Sequence, residues 1–197
     1  MKRHFWYIIL LLMPFAATVA QSPSFTRTKL KNLENKTVKL SHFIEDKPII
    51  LVAYGSDCPI CQKYVPILRG MSDTFSTITF IFVFSKWDSL QAIKDFVNEV
   101  GDKGALSHSV TKNIYFLWDK KNKLLKKLKA TTTPEAFLFD RNKKQLYRGA
   151  IDNWFFALGK YRPQATEFYL KNALTQFLNN EKITVPQTHP IGCIIEY

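Results

Sequence analysis

The chain has 197 residues, of which 46% are hydrophobic and 22% charged, with a formal net charge of +12. This is enough apolar material for one well-buried core with at most a modest appendage, so an array of large domains is excluded. No nucleic-acid-binding motif accompanies the excess of lysine and arginine, and nucleic acid is not an expected partner.

In chain order, Lys2 and Arg3 precede an apolar centre over residues 5–15, and Thr18-Val19-Ala20 forms a small-residue cleavage site before Gln21. Residues 1–20 therefore have the layout of a secretory signal. The apolar run, broken by Pro14, is shorter than the roughly 20 residues of a spanning helix, so cleavage is expected over an uncleaved membrane anchor. A periplasmic or secreted location follows, where disulfides persist.

Residues 21–35 read as a lead-in, mobile over 21–30, residues 36–160 as the main domain, and residues 161–197 as a helix and tail packed on it. Residues 38–43 read as a short edge strand or turn. The apolar runs 48–54 and 77–84, rich in isoleucine, valine and phenylalanine, have the pattern of parallel strands buried on both faces. A helix over 58–75 joins them into a right-handed β-α-β unit. Ser89 is placed to cap a second helix through Leu90, Ile93, Phe96, Val97 and Val100, with Gly101 at its end. A further strand is expected near 114–118. After it Asp119 caps a short amphipathic helix, with Leu124, Leu125 and Leu128 inward and Lys120, Lys121, Lys123, Lys126, Lys127 and Lys129 solvated. A patch for acidic partners or an anionic surface is the other use of that lysine cluster. Residues 136–139 and 145–147, joined by the turn Asp140-Arg141-Asn142-Lys143, close the sheet. A last helix presents Leu170, Ala173, Leu174, Phe177 and Leu178 on one face.

The stretch that carries chemistry is Cys58-Pro59-Ile60-Cys61, at the junction between the first buried strand and its helix. Two cysteines three apart at a helix start can close a small, reducible disulfide, and the first sits where unpaired N–H groups and the helix dipole stabilise a thiolate. Cys58 is thus the expected nucleophile and Cys61, one turn on and more buried, the resolving thiol. Pro59 suits the first helical turn, where its missing N–H costs little. Asp57 is expected to oppose thiolate formation if its carboxylate faces the sulfur, which favours a reductant over a strong oxidant. The same two-residue spacing also occurs in half of a zinc site, and an inert disulfide or two buried thiols are the structural alternatives.

With Tyr54 four residues before Cys58, Pro66 eight after it, and Thr133-Pro134 before the run 136–139, the chain resembles the thioredoxin family. The resemblance implies an α/β thioredoxin fold: a central mixed sheet flanked by helices, with an insertion before the cis-proline strand and a C-terminal helical extension. It further implies that Pro134 is cis and faces the cysteine pair, and that Thr133 offers backbone pairing to a bound partner. Tyr54, Pro59 and Thr133 would then contact substrate, with Cys58, Cys61, Thr133 and Pro134 as the catalytic set. The Tyr147-Arg148-Gly149-Ala150-Ile151-Asp152 stretch and the ending Thr188 to Ile194 are similar to exported redoxin-domain proteins of the thioredoxin and alkyl hydroperoxide reductase superfamily. The expected activity is thiol-disulfide exchange with protein or low-molecular-weight thiols and disulfides, by a monomer, with a membrane electron donor as one candidate source of electrons. No cofactor and no metal are expected.

Departures from the family pattern open alternatives. Thioredoxin places a buried aspartate where Val52 stands, so Glu45, Glu135 or water would have to assist Cys61. A thiol peroxidase would need a threonine where Gly55 stands, although Arg148 could supply a cation if it faced Cys58. A copper-binding or redox-switch module would use the two thiolates with a distant histidine. His42, His108 and His189 stand at no metal-ligand spacing from the pair, and each is expected to be a surface or core histidine. Cys193 is the odd thiol. Burial beside Ile194 and Ile195 is its expected state, and a fold-back onto Cys58 or Cys61 as an auxiliary thiol is the alternative.

Overall fold

The structure, a computed structural model, describes residues 24–44, 46–102 and 113–197. The expected signal over 1–20, Glu45 and His108 lie outside the described residues. Seven strands form the central sheet: β1 (Lys29–Lys31), β2 (Thr37–Lys39), β3 (Ile49–Tyr54), β4 (Thr79–Phe84), β5 (Ile114–Trp118), β7 (Glu135–Phe139) and β8 (Gln145–Gly149). Their order is β2-β1-β5-β4-β3-β7-β8. The short strand β6 (Thr132–Thr133) belongs to a separate two-stranded sheet described below. Strands β3, β4 and β5 run parallel, and β7 is antiparallel to β3.

Every residue of β3 and β4 is buried, which is why both read as continuous apolar runs rather than alternating ones. Their side chains divide between two cores. Ile50, Val52, Tyr54, Phe80, Phe82 and Phe84 pack under α1 (Pro59–Thr74), α2 (Leu90–Asp102) and α4 (Tyr169–Leu178). Ile49, Leu51, Ala53, Ile81 and Val83 pack on the opposite face against α3 (Lys123–Leu128), Phe25 and Leu40. The sheet is therefore the middle of three layers, and the cysteine motif stands at the carboxyl end of β3.

The caps are where side-chain chemistry places them. The Ser89 hydroxyl accepts the Ala92 N–H at 3.0 Å, and α2 runs to Asp102, one residue beyond Gly101. Asp119 accepts the N–H groups of Lys123, Leu124 and Leu125, three otherwise orphaned donors of α3. The three leucines of α3 are buried and the six lysines around them exposed.

The N-terminal segment corrects the expectation of a mobile lead-in. From residue 24 onward it is packed: Phe25 sits on Phe139 with ring centroids 4.7 Å apart, and β1 joins β2 to β5 in the sheet. Only three residues long, one leucine between two lysines, β1 gives too little periodicity to be read as a strand. A second unexpected feature is a small hairpin, β9 (Phe155–Ala157) with β10 (Lys160–Tyr161). Beyond α4 the tail runs back over the sheet. Its residues 186–188 lie along β8, where the Arg148 N–H donates to Pro186 and Thr188 N–H donates to Arg148. It ends in β11 (Cys193–Ile194), which pairs antiparallel with β6.

Candidate active site

Cys58 is the N-cap residue of α1, extended at φ −82° and ψ 112°, and Pro59 occupies the first helical turn. The loop that delivers it is clamped by Asp88. One carboxylate oxygen accepts the N–H and hydroxyl of Ser56, and the other accepts the N–H and hydroxyl of Ser85. The ends of β3 and β4 are thereby tied together directly beneath the cysteine.

The two thiols of the motif differ in environment. Cys58 is 5% exposed at the surface of the loop, whereas Cys61 is fully buried against Ile60, Tyr64 and Leu68. Hydrogen bonding from the Cys61 thiol is the main influence lowering the Cys58 pKa to about 5; burial opposes it, and the Cys193 thiol, the Cys61 amide and Thr133 add to the lowering. Burial pushes Cys61 well above the usual thiol range, and the neighbouring Cys58 raises it further. A thiolate at the mouth and a protonated thiol one turn beneath it are the result.

The third wall is Thr133. The Thr133–Pro134 peptide bond is cis, and the Cys58 sulfur lies 3.4 Å from the Thr133 carbonyl oxygen. Strand β11 pairs with β6 in the register Cys193 to Thr133 and Ile194 to Thr132, which brings the Cys193 sulfur to 2.9 Å from that of Cys58. An open cleft of about 310 Å³ remains beside the pair, bounded by Gly55, Asp57, Trp87, Asp88 and Glu196.

Comparison with known proteins places this arrangement. Residues 20–147 match the model of the AhpC/TSA family. The chain belongs to that family. The fold is shared with an uncharacterised conserved protein from Geobacillus kaustophilus at a TM-score of 0.68 and 20% identity, over 87% of this chain and 90% of the other. A hypothetical protein from Sinorhizobium meliloti is similar at a TM-score of 0.67 and 19% identity, over 86% and 90%. A secreted disulfide oxidoreductase from Mycobacterium tuberculosis, homologous to E. coli DsbE, gives a TM-score of 0.53 and 14% identity, over 79% and 97%. No curated protein matches the chain. It is a redoxin-family protein with a thioredoxin-like fold.

Within this AhpC/TSA-family site, several sequence expectations change. Tyr54 is not at the substrate surface: it is fully buried, packs edge-on against Phe82 and Phe84, and donates its hydroxyl proton to the Cys61 carbonyl. Its place on the face of β3 that packs under α1 and α2 decides this. Pro59 is exposed beside Cys58, and Thr133 lies at the sulfur but is covered by β11. Cys193 is not a core residue between isoleucines; it is partly exposed, Ile194 points to solvent, and Ile195 alone is buried. Asp57 is exposed and is not among the groups that set the Cys58 pKa, so the expected opposition to the thiolate is absent.

Glu135 does not serve Cys61. It stands opposite Ala53 on the other sheet face, where its carboxylate accepts hydrogen bonds from Arg148, the Thr131 N–H and the Thr131 hydroxyl. The same pairing holds Arg148 over the Phe137 ring, away from Cys58. Val52 is buried beneath α1 with no carboxylate in its place. Among the described residues no group of three or more histidine, cysteine or acidic side chains is arranged to hold a metal ion, and no helix is long and apolar enough to cross a membrane. Sequence reasoning missed Asp88 and Ser56, whose only trace was an acid one residue before the Ser89 cap. Trp87 follows the end of β4. It lines the cleft and donates its indole N–H to the Glu196 carbonyl.

Proposed function

We propose that this chain is an exported thiol-disulfide oxidoreductase that works through a Cys58–Cys61 redox pair on protein or low-molecular-weight partners. The observation that carries the reading is the asymmetry of the pair: Cys58 stands at the helix start beside an open cleft, with its pKa lowered, and Cys61 is fully buried one turn beneath it. The Cys58 thiolate attacks a partner disulfide, forming a mixed disulfide and releasing one partner thiolate, which takes up a proton. Cys61 then loses its proton, attacks the Cys58 sulfur and releases the second partner thiol. The pair is left as a disulfide and the partner gains two electrons and two protons; run in reverse, the pair oxidises a dithiol.

Thr133 carries the backbone groups against which a partner chain would align, and exposed Pro59 flanks the sulfur. Export rests on the signal-like layout of residues 1–20. The reason for favouring a reductant falls with the displacement of Asp57. A stabilised thiolate favours the reduced form of the pair. Peroxide reduction has less support, because Arg148 is committed to Glu135 and Gly55 brings no hydroxyl to the sulfur. The deciding test is a glutathione-buffered titration with each cysteine followed by alkylation and mass spectrometry. A reversible Cys58–Cys61 couple is expected, and inert thiols across the whole range would overturn the reading.

A further inference from the structure

The partner-binding edge of this site is already occupied by the protein's own tail. Antiparallel pairing of Cys193–Ile194 with Thr132–Thr133 is a strand addition of the kind an extended partner peptide makes. The ending from Thr188 to Ile195 is built for that course. The Thr188 hydroxyl accepts the Ala150 N–H at 2.9 Å and meets the Tyr147 hydroxyl, fixing the point where the tail leaves β8. Gly192 crosses the Thr133 carbonyl so closely that a Cβ there would stand 2.1 Å from its oxygen. Ile195 donates its N–H to Thr131 at 2.9 Å and buries its side chain. Trp87 and Asn122 donate to the Glu196 carbonyl, and the Tyr197 hydroxyl donates to Ala130. These anchors leave the Cys193 thiol donating to the Cys58 sulfur at 2.9 Å.

We propose that Cys193 is a third redox thiol and the internal exchange partner of Cys58, carried on a C-terminal strand that occupies the partner-binding edge and diverts oxidised Cys58 into a Cys58–Cys193 disulfide. The proposal rests on thiol exchange at Cys58 as read above. The oxidant is a disulfide, and a low-molecular-weight one reaches Cys58 through the open cleft with the tail in place. Cys58 attacks it, one sulfur leaves as a thiolate, and a mixed disulfide forms. Cys193 gives up its proton, attacks the Cys58 sulfur and expels the second thiolate, so that two electrons and two protons have passed to the oxidant. Cys61 then exchanges into this bond, forming Cys58–Cys61 and returning Cys193 to the thiol with no further oxidant. A protein disulfide that aligns along Thr132–Thr133 must first lift β11, so small disulfides are the preferred class.

The test uses the full chain carrying Cys61→Ser, equilibrated with millimolar glutathione disulfide and mapped by alkylation and mass spectrometry. An intramolecular Cys58–Cys193 disulfide is expected to exceed the Cys58–glutathione adduct by at least about tenfold, because a tethered thiol acts at an effective concentration above that of free glutathione. Adding Cys193→Ser should convert the product to the adduct. Accumulated adduct with Cys193 freely alkylated would overturn the proposal while leaving exchange at Cys58 intact. If wild-type Cys58 forms neither an adduct nor any disulfide, the exchange reading itself fails, and this proposal with it. Cys61→Ala, which leaves no hydroxyl in the buried site, gives the same comparison should the serine variant fail to fold.

Discussion

Cys58 stands between two thiols that are held in opposite ways. On the α1 side, Cys61 is locked by a sixteen-residue helix whose buried face includes Ile60, Tyr64, Val65, Leu68 and Met71. On the tail side, Cys193 rides on a two-residue strand secured by hydrogen bonds and a few apolar side chains, chiefly the buried Ile195 and Pro190. Opening the first costs much of the core, whereas opening the second exposes little apolar surface. One sulfur therefore has a permanent partner and a removable one.

The largest effect separates the sulfur from both partners. Cys58→Ser should reduce exchange with glutathione disulfide by about 10³-fold or more, the scale on which a nucleophile is lost. Cys193→Ser should leave the Cys58–Cys61 couple titrating reversibly. If Cys193→Ser abolished that couple, the tail would be as indispensable as the helix and the contrast between them would collapse.

The next prediction acts on the removable side alone. In Gly192→Val the new side chain meets the Thr133 carbonyl and β11 must leave β6, with a loss equivalent to one or two hydrogen bonds. Alkylation of Cys58 by iodoacetamide should then speed up by about tenfold, with the unfolding midpoint of the core little changed. An unchanged alkylation rate would mean that the tail does not screen the sulfur.

The shared sulfur also writes a pH signature. Between pH 5 and 9 the folded reduced protein holds Cys58 as thiolate while the unfolded chain holds it protonated. The unfolded state binds more protons there, so this contribution to stability is full above pH 9 and is lost as the pH falls through 5. The reduced wild type minus Cys58→Ser should show this rise in urea denaturation, and the Cys58–Cys61 disulfide form should not. A flat difference across that window would remove the low thiolate pKa.

Most of the α1 side was legible in the sequence and much of the tail side was not, for a physical reason. Strands β3 and β4 and helix α1 announce themselves by continuous apolar runs and helical spacing, and the cysteine pair by its place between them. The tail has no period. Thr188, Gly192 and Cys193 act by backbone registration and a close approach, which single residues reveal only once the fold brings Thr133 and Cys58 against them. Tyr54 was visible as a family mark but its direction was not, because a strand buried on both faces lacks the alternation that tells inside from outside. Glu135 was likewise one residue out of phase with Val52: their neighbours Ala136 and Ala53 pair with them across the sheet, which puts the carboxylate on the far face.

The smallest effect tests that reassignment of Tyr54. As a core residue it contributes one hydrogen bond to the Cys61 carbonyl, a group that α1 also supplies with a helical donor, so Tyr54→Phe should cost about 1 kcal/mol in urea denaturation. Because the ring still packs against Phe82, Phe84 and Phe96, the helix start and the Cys58 sulfur stay in place. Exchange with glutathione disulfide should therefore remain within about twofold of wild type, since the hydroxyl bonds the Cys61 carbonyl and does not line the cleft. A variant of full stability with impaired exchange would reverse the assignment and return Tyr54 to the partner surface. A loss of stability without loss of exchange locates it on the permanent side of Cys58, holding the resolving thiol at its depth.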